Sequence, residues 1–195
     1  MFYIVGLGNP GEEYKNTRHN TGRIVLDIIR KKIESDDFEF KKNLNALVSE
    51  GKIGKEKVTL IAPETFMNNS GNSVKTLITS VKKAHNLVVI YDDLDLPIGA
   101  MKISFNRGTG GHKGLESITK QIKTAEFVRF RVGISPKTAT GKTKKPSGAA
   151  VVEKHILGEF REPEIVELKK IGKKAVEALE ILVSEGLQKA MTVCN

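Results

Sequence analysis

The sequence predicts an α/β sandwich in which helices pack against a mixed, partly parallel β-sheet. Short apolar runs that are typical of buried strands alternate along the chain with helical patterns, which is the arrangement of α/β proteins. Glycine and proline residues separate many of these segments. The length of 195 residues suits a single core, so we predict one domain that covers residues 1–195.

The N-terminal segment predicts a strand, a polar loop and a helix. Residues 2–7 form a short apolar run that is ended by glycine and proline, as expected of a buried strand. Residues 9–20 are too polar and too rich in turn-forming residues to pack as a core element. Residues 21–33 carry isoleucine and valine at helical spacing and therefore predict the first helix.

The same alternation continues to the end of the chain. Apolar and alternating patterns predict strands at residues 44–48, 58–61, 87–91, 101–105 and 127–134. A turn is expected at residues 51–54. Three further helices are predicted at residues 69–83, 115–122 and 164–185. Asn69 or Ser70 is expected to cap the first of them, whereas Pro163 and Gly186 mark the start and end of the last.

Composition indicates the chemical class of the partner and the cellular compartment. The net charge of +9 favours a polyanionic partner, and nucleic acid before a membrane. The only cysteine, Cys194, excludes an intramolecular disulfide, and a free thiol fits a reducing cytosol. The N-terminus does not resemble a signal peptide, and no apolar run approaches the roughly 20 residues that span a bilayer. We therefore expect a cytoplasmic protein without a membrane segment.

The glycines at positions 6, 8 and 11 formally match the G-x-G-x-x-G dinucleotide fingerprint. That fingerprint requires a helix to begin at the glycines, so that its N-terminus meets the pyrophosphate. Here a polar stretch follows instead, and the helical pattern begins only near Thr21. The sequence therefore disfavours dinucleotide binding.

Polar side chains follow two of the predicted strands and are candidates to share one site, because sites in α/β sheets gather at the carboxyl ends of strands. After the first strand come Asn9, Tyr14, Arg18, His19 and Asn20. Histidine is the side chain best suited to accept a proton near neutral pH, although a single loop histidine is often inert.

Asp92, Asp93 and Asp95 form a carboxylate cluster after the strand at residues 87–91. Three interpretations remain open from the residues alone. The cluster could bind magnesium, because hard cations take oxygen ligands. One carboxylate could orient a histidine and stabilise its charged form. The cluster could also be a charged turn before Pro97.

Two further segments carry candidate binding groups. The amide of Asn68 both donates and accepts hydrogen bonds, so it could hold a carbonyl group or simply cap a helix. The glycine-rich residues 108–114 could present backbone N–H groups to phosphate, and His112 and Lys113 add donors suited to a nucleic-acid backbone. This segment lacks the Walker pattern, and a flexible linker is the alternative.

Taken together and in order, these motifs resemble the bacterial-type peptidyl-tRNA hydrolase family. The matching stretches are IVGLGNPGEEYKNTRHNTG, TFMNNSG, DDLDLPIG, GTGGHKGLESI, FVRFRVGI and VVEKHILGEF. The resemblance implies a three-layer α/β/α sandwich that acts as a monomer, without a metal or another cofactor. It also implies an activity: hydrolysis of the ester bond between an N-blocked peptide and the 3′-terminal ribose of tRNA.

The resemblance also assigns roles to residues. His19 matches the general base that activates water, and Asp92 matches the carboxylate that orients it. Asn9 matches the residue that helps to distinguish an N-blocked ester from a free aminoacyl ester. The lining for the peptide end and the terminal adenosine matches Tyr14, Phe66, Met67 and Asn68. We include Asn68 among the catalytic residues, because its amide could support the developing oxyanion. Arg131 matches an arginine that is thought to hold tRNA phosphate.

Two positions depart from the family pattern. Lys113 stands where the family often has asparagine, and a lysine donates hydrogen bonds but cannot accept them. Ser104 stands where the family often has a phosphate-binding lysine, and we expect Lys102 to point to the opposite face of its strand. Two rival functions therefore remain for test: a metal-dependent hydrolase that uses the three aspartates, and a non-catalytic RNA-binding module.

Overall fold

The structure, a computed structural model, describes residues 1–138, 140–141 and 143–195. Seven strands and six α-helices are assigned within these ranges. The strands are β1 Phe2–Gly6, β2 Glu39–Lys41, β3 Ala46–Ile53, β4 Glu56–Pro63, β5 Leu87–Pro97, β6 Met101–Phe105 and β7 Val128–Ser135. The helices are α1 Thr21–Lys32, α2 Val81–Ala84, α3 Lys113–Ile122, α4 Ala149–Ile156, α5 Glu162–Glu185 and α6 Leu187–Cys194.

One sheet of seven strands runs through the molecule in the order β2-β3-β4-β1-β5-β7-β6. The four central strands, β4, β1, β5 and β7, are parallel to one another. Antiparallel strands flank them, with β3 and β2 on one side and β6 on the other. The prediction of a mixed, partly parallel sheet is confirmed.

Helices cover both faces of this sheet. Alternate residues of β5 point to opposite faces, so that Ile90 joins a core with residues of α1, α5 and α6. Its neighbour Val89 joins a second core that includes Ile118 of α3 and Met67 of a 3₁₀ segment, Met67–Ser73. The three-layer α/β/α sandwich is therefore confirmed. No helix in the described ranges is both long enough and apolar enough to cross a membrane.

The helix predicted at residues 69–83 was wrong. The chain forms the 3₁₀ segment Met67–Ser73 and later the four-residue helix α2, with turns between them. Gly71 lies so close to α3 that an added Cβ would be 2.3 Å from the carbonyl oxygen of Ser117. The β-branched residues between positions 74 and 79 also weaken helix formation. Packing against α3 therefore decided the conformation of this segment.

Two strand limits also differ from the prediction. The turn expected at residues 51–54 was wrong, because β3 continues through Gly51 to Ile53 and the chain turns at Gly54, which has a φ of 58°. Strand β5 does not end at Tyr91 but continues through the aspartates to Pro97, alongside β7. The sequence analysis also missed β2, α4 and α6.

Gly22 sets the distance between α1 and the sheet at the carboxyl end of β1. An added Cβ at Gly22 would lie 2.2 Å from the carbonyl oxygen of Ile90 and 2.4 Å from the backbone nitrogen of Leu7. Only a residue without a side chain permits this approach. The contact places residues 18–20, which immediately precede α1, next to the ends of β1 and β5.

We expect Gly22→Ala to lower the free energy of unfolding by at least about 2 kcal/mol, because the methyl group would overlap two backbone atoms. Helix propensity alone predicts the opposite sign, a gain of about 1 kcal/mol. The control is Gly108→Ala, where an added Cβ would meet nothing within 4 Å. Urea unfolding of both variants measures the difference. A Gly22→Ala protein as stable as the wild type would contradict the close contact.

Candidate active site

An open cleft of about 710 Å³ lies at the carboxyl edge of the parallel strands, where α/β proteins place their sites. The predicted site residues that line it are Asn9, His19, Phe66, Met67, Asn68, Asp92, His112, Lys113 and Arg131. Ser104 also lines the cleft, whereas Tyr14 and Lys102 do not. Of the predicted site residues, only Tyr14 therefore lies outside this cleft.

The centre of the cleft holds a histidine–carboxylate pair. The Nδ1 atom of His19 lies 3.0 Å from both carboxylate oxygens of Asp92, although the two residues are 73 positions apart. His19 sits in the 3₁₀ turn Arg18–Asn20 just before α1, and Asp92 lies within β5. Both side chains are buried, with residue exposures of 8% and 5%.

The environment shifts both acid–base equilibria. Burial by itself would raise the pKa of Asp92, but the adjacent His19 and His112 hold it far below its ordinary range. Burial lowers the pKa of His19, yet the charge and hydrogen bond of Asp92 outweigh burial and raise it above its ordinary value. Lys113 opposes this rise by its positive charge. Asp92 is therefore ionised at neutral pH and favours the protonated form of His19.

A second histidine binds the same carboxylate. The Nε2 atom of His112 lies 3.0 Å from Oδ1 of Asp92. Its Nδ1 atom caps α3 by accepting hydrogen bonds from the backbone nitrogens of Gly114 and Leu115, at 3.2 and 3.4 Å. Both ring nitrogens are thus engaged within the protein. The sequence analysis placed the start of α3 two residues late and so missed this contact.

Asn9 is held at the edge of the cleft by a set of short hydrogen bonds. Its Oδ1 accepts from the backbone nitrogen of Met67 at 2.9 Å. The side chain of Asn20 accepts from the backbone nitrogen of Asn9 at 2.8 Å and donates to its carbonyl oxygen at 2.9 Å. The amide of Asn9 is therefore fixed in orientation, with its Nδ2 group still available. The sequence analysis noted Asn20 as polar but gave it no role.

The loop that carries His19 is anchored to the start of α5. Arg18 forms a largely buried ion pair with Glu164, with a nitrogen–oxygen distance of 2.8 Å. The backbone nitrogen of Arg18 donates to the carbonyl of Gly158, and that of Phe160 donates to the carbonyl of Asn16. These contacts fix the imidazole from outside the cleft. Glu164 lies 146 positions from Arg18, so no local signal could have identified it.

The three aspartates of β5 do not form a common ligand set. Asp92 bonds the two histidines, Asp93 pairs with Arg131 at 2.7 Å, and Asp95 pairs with Lys145 at 2.5 Å. Within the described ranges, one group has donor atoms close enough to share an ion, namely His19, Asp92 and His112, which lie within 4.8 Å of one another. Hydrogen bonds among these three groups already account for their closeness, so we assign no metal to them.

The side chain of Lys102 on the edge strand β6 does not point in the direction that we expected. Lys102 lies opposite Arg131 and Ser104 lies opposite Arg129 in the ladder, so all four side chains share one face. Our expectation that Lys102 would point away from the face of Ser104 was wrong, because residues two apart in a strand share a face. Lys102 is nevertheless exposed and outside the cleft.

Arg129 of β7 contacts the start of the glycine-rich loop, a role that the sequence did not indicate. Its guanidinium group is completely buried and donates to the carbonyl of Gly108 at 2.8 Å. The same group lies 4.6 Å from the centre of the Phe127 ring. The hydrogen bond and the ring contact tie the base of the glycine-rich loop to β7.

A histidine paired with a buried carboxylate in an open cleft is an arrangement that hydrolases can use to activate water. The family model for peptidyl-tRNA hydrolase matches residues 3–195. A peptidyl-tRNA hydrolase of Herpetosiphon aurantiacus is 40% identical over all of this chain and 90% of its own length. The one of Desulfitobacterium hafniense is 37% identical, with both chains fully covered.

Solved structures give the same result. The crystal structure of peptidyl-tRNA hydrolase from Acinetobacter baumannii superposes with a TM-score of 0.87 at 29% identity, covering 100% of this chain and 94% of that one. The chain belongs to the peptidyl-tRNA hydrolase family. The predicted family, fold class and enzyme class are confirmed, and the activity that this membership supports is hydrolysis of peptidyl-tRNA.

Proposed function

We propose that this protein hydrolyses the ester between an N-blocked peptide and the 3′-terminal ribose of tRNA, with His19 as general base and Asp92 as the carboxylate that orients it. The observation that carries the proposal is the 3.0 Å contact of His19 Nδ1 with both oxygens of Asp92. Because a carboxylate only accepts hydrogen bonds, this contact places the proton on Nδ1. The lone pair of Nε2 is then left for water.

The reaction begins when His19 Nε2 removes a proton from water and the hydroxide attacks the ester carbonyl carbon. Nε2 makes no hydrogen bond to any described residue, so it is free to bind that water. Asp92 stabilises the imidazolium that forms. When the tetrahedral intermediate collapses, the ribose oxygen leaves and takes the proton from His19. General-base assistance of this kind contributes roughly 100- to 10,000-fold.

Asn68 is suited to stabilise the oxyanion. It lies exposed in the cleft beside Met67, and its side chain makes no hydrogen bond to the described residues. A free amide that is held by the 3₁₀ segment can donate to the developing negative charge. Backbone N–H groups of the glycine-rich loop, which lines the same cleft, are candidates for a second donor.

Asn9 supplies the selection for a blocked amino group. Its Oδ1 is occupied by Met67, so only N–H groups face the substrate. These donors match the carbonyl of a peptide bond, but they would oppose the ammonium group of a free aminoacyl ester, which also donates. A site that requires an acceptor rejects a ligand that lacks one, because its polar groups are then left unpaired.

The cleft also offers groups for the tRNA end. Phe66 is exposed at the rim and presents an aromatic face to a base, while Met67 lies buried beneath it. Arg131 contacts Asp93 through Nε and keeps its terminal nitrogens for phosphate. Lys113 adds an exposed cation. The ring of His112 can add stacking contacts only, because both of its nitrogens are engaged.

We assign residues 1–195 to one domain, which is supported by Asn195, whose side chain exchanges two hydrogen bonds with the backbone of Ile103 in β6. Tyr14 remains a proposed substrate contact that would require the tRNA to extend beyond the cleft. We further propose that the protein acts in the cytoplasm as a monomer without a cofactor.

We expect His19→Ala to lower kcat on peptidyl-tRNA by roughly 100- to 10,000-fold, because the general base is lost. Asp92→Asn should cost about as much, because an amide does not select the same tautomer. The control is His85→Ala, which removes an exposed histidine paired with Glu126 outside the cleft. Release of peptide from peptidyl-tRNA is the measurement. Near-normal turnover by His19→Ala would remove the proposed mechanism.

The raised pKa of His19 predicts the pH dependence. The base must be unprotonated to act, so kcat/KM should fall as the pH drops through a value above 6.5. Lys113→Asn removes a cation that opposes the imidazolium, so it should shift this limb to higher pH while activity at pH 8 is preserved or raised. Lys120→Asn, which removes an exposed lysine of α3 outside the cleft, is the control. A large loss at every pH would show that Lys113 has a task of its own.

Two rival functions are separated by simple assays. A metal-dependent hydrolase would lose activity after exhaustive chelation, whereas we expect full activity, because the aspartates of β5 are engaged by histidines, Arg131 and Lys145. A non-catalytic RNA-binding module would bind peptidyl-tRNA without releasing peptide. Binding itself should weaken steeply with salt for either function, because it depends on phosphate contacts.

A further inference from the structure

His112 does not stand free in the cleft but joins the start of α3 to the catalytic carboxylate. The ring accepts two backbone hydrogen bonds at Nδ1, from Gly114 and Leu115. A backbone N–H only donates, so Nδ1 must carry a lone pair and the ring proton must be on Nε2. The helix cap alone therefore fixes the tautomer of His112.

That tautomer directs a donor at Asp92. The Nε2 atom lies 3.0 Å from Oδ1 of Asp92, while His19 Nδ1 lies at the same distance from both oxygens. The buried carboxylate thus accepts from two imidazoles, one from the turn before α1 and one from the start of α3. Their ring centres are 5.1 Å apart, and Tyr91 packs edge-on against His112 at 5.0 Å.

We propose that His112 is a positioning residue, which uses the N-terminal cap of α3 to hold a fixed N–H donor on Asp92 and so keeps that carboxylate aligned with His19. The proposal rests on the proposed role of His19 as the base. It gives the two histidines different tasks. His112 has both nitrogens committed within the protein, whereas His19 keeps Nε2 for water. A proton added to Nδ1 of His112 would face two N–H donors and break the cap.

The second donor has two consequences for the reaction. It prevents the carboxylate of Asp92 from rotating, so both oxygens remain in reach of His19 Nδ1. It also shares the negative charge of Asp92 between two rings, which moderates the basicity of His19. Three further groups lie around Asp92 and His112, namely His19 from the turn before α1, Tyr91 from β5 and Lys113 from α3.

Two substitutions separate the role of His112 as the cap of α3 from its role as a donor to Asp92. Asparagine is a preferred N-cap, so His112→Asn should keep the cap of α3 but is too short to reach Asp92. His112→Ala loses the cap and the donor together. We expect both variants to lose roughly 10-fold or more in kcat with little change in KM, since each lacks one hydrogen bond to a charged group. Both variants lose the donor to the buried carboxylate and should have a lower Tm, and His112→Ala should have the lowest because it also loses the cap.

The pH profile supplies a readout that a purely structural role would not move. In His112→Asn the whole charge of Asp92 acts on His19, so the acidic limb of kcat/KM should shift to higher pH. A His112→Asn enzyme with wild-type kcat and an unmoved limb would reduce His112 to a helix cap. A higher KM with an unchanged kcat would leave His112 with the stacking contact to the substrate and no positioning role. Either result overturns the proposal.

A measurement on the wild-type protein avoids the risk that a variant fails to fold. Nuclear magnetic resonance of ¹⁵N-labelled histidine should show the proton of His112 on Nε2 and a lone pair on Nδ1. The opposite tautomer would overturn the proposal without any assay of activity. Because this experiment is independent of turnover, its failure is distinguishable from failure of His19 as the base.

Discussion

The site depends on one buried anion. Asp92 lies inside β5 with 5% of its surface exposed, and an unpartnered carboxylate there would be costly. Its partners come from elements on opposite faces of the sheet, because His19 precedes α1 and His112 caps α3. Both helices must therefore dock correctly before the charge is satisfied. The stability of this edge of the fold and the orientation of His19 depend on the same contacts of Asp92.

Polar groups replace an apolar core in the loop after β1. The sequence analysis judged residues 9–20 too polar to pack, yet Asn9, Thr17, His19 and Asn20 are buried. Each of them has a hydrogen-bond partner, which is the condition under which polar burial is tolerated. A loop held in this way positions Asn9 and His19 more firmly than a mobile surface loop would.

Prediction from sequence succeeded where local pattern decides the structure. Strands β1, β6 and β7 and helix α1 followed their apolar spacing to within about two residues. It failed at residues 69–83, where close packing of Gly71 on α3 overrides helix formation, and at β5, whose charged end is stabilised by distant partners. In the site, motif order predicted that His19 and Asp92 would meet, and their side chains are in contact. The roles of Asn20, Glu164 and Arg129 depend on contacts that only the fold creates.

The acidic end of β5 is compatible with a polyanionic substrate, because its charges are neutralised within the protein. Asp93 is paired with Arg131, Asp95 with Lys145, and Asp92 with two imidazoles. Arg131 and Lys145 still line the cleft, so their remaining donors face it together with carboxylates that are already paired. The same pairing gives Asp92, Asp93 and Asp95 separate partners in place of a shared ligand set. A net charge of +9 can then act on tRNA over the whole surface, while the cleft keeps one oriented carboxylate for its histidine.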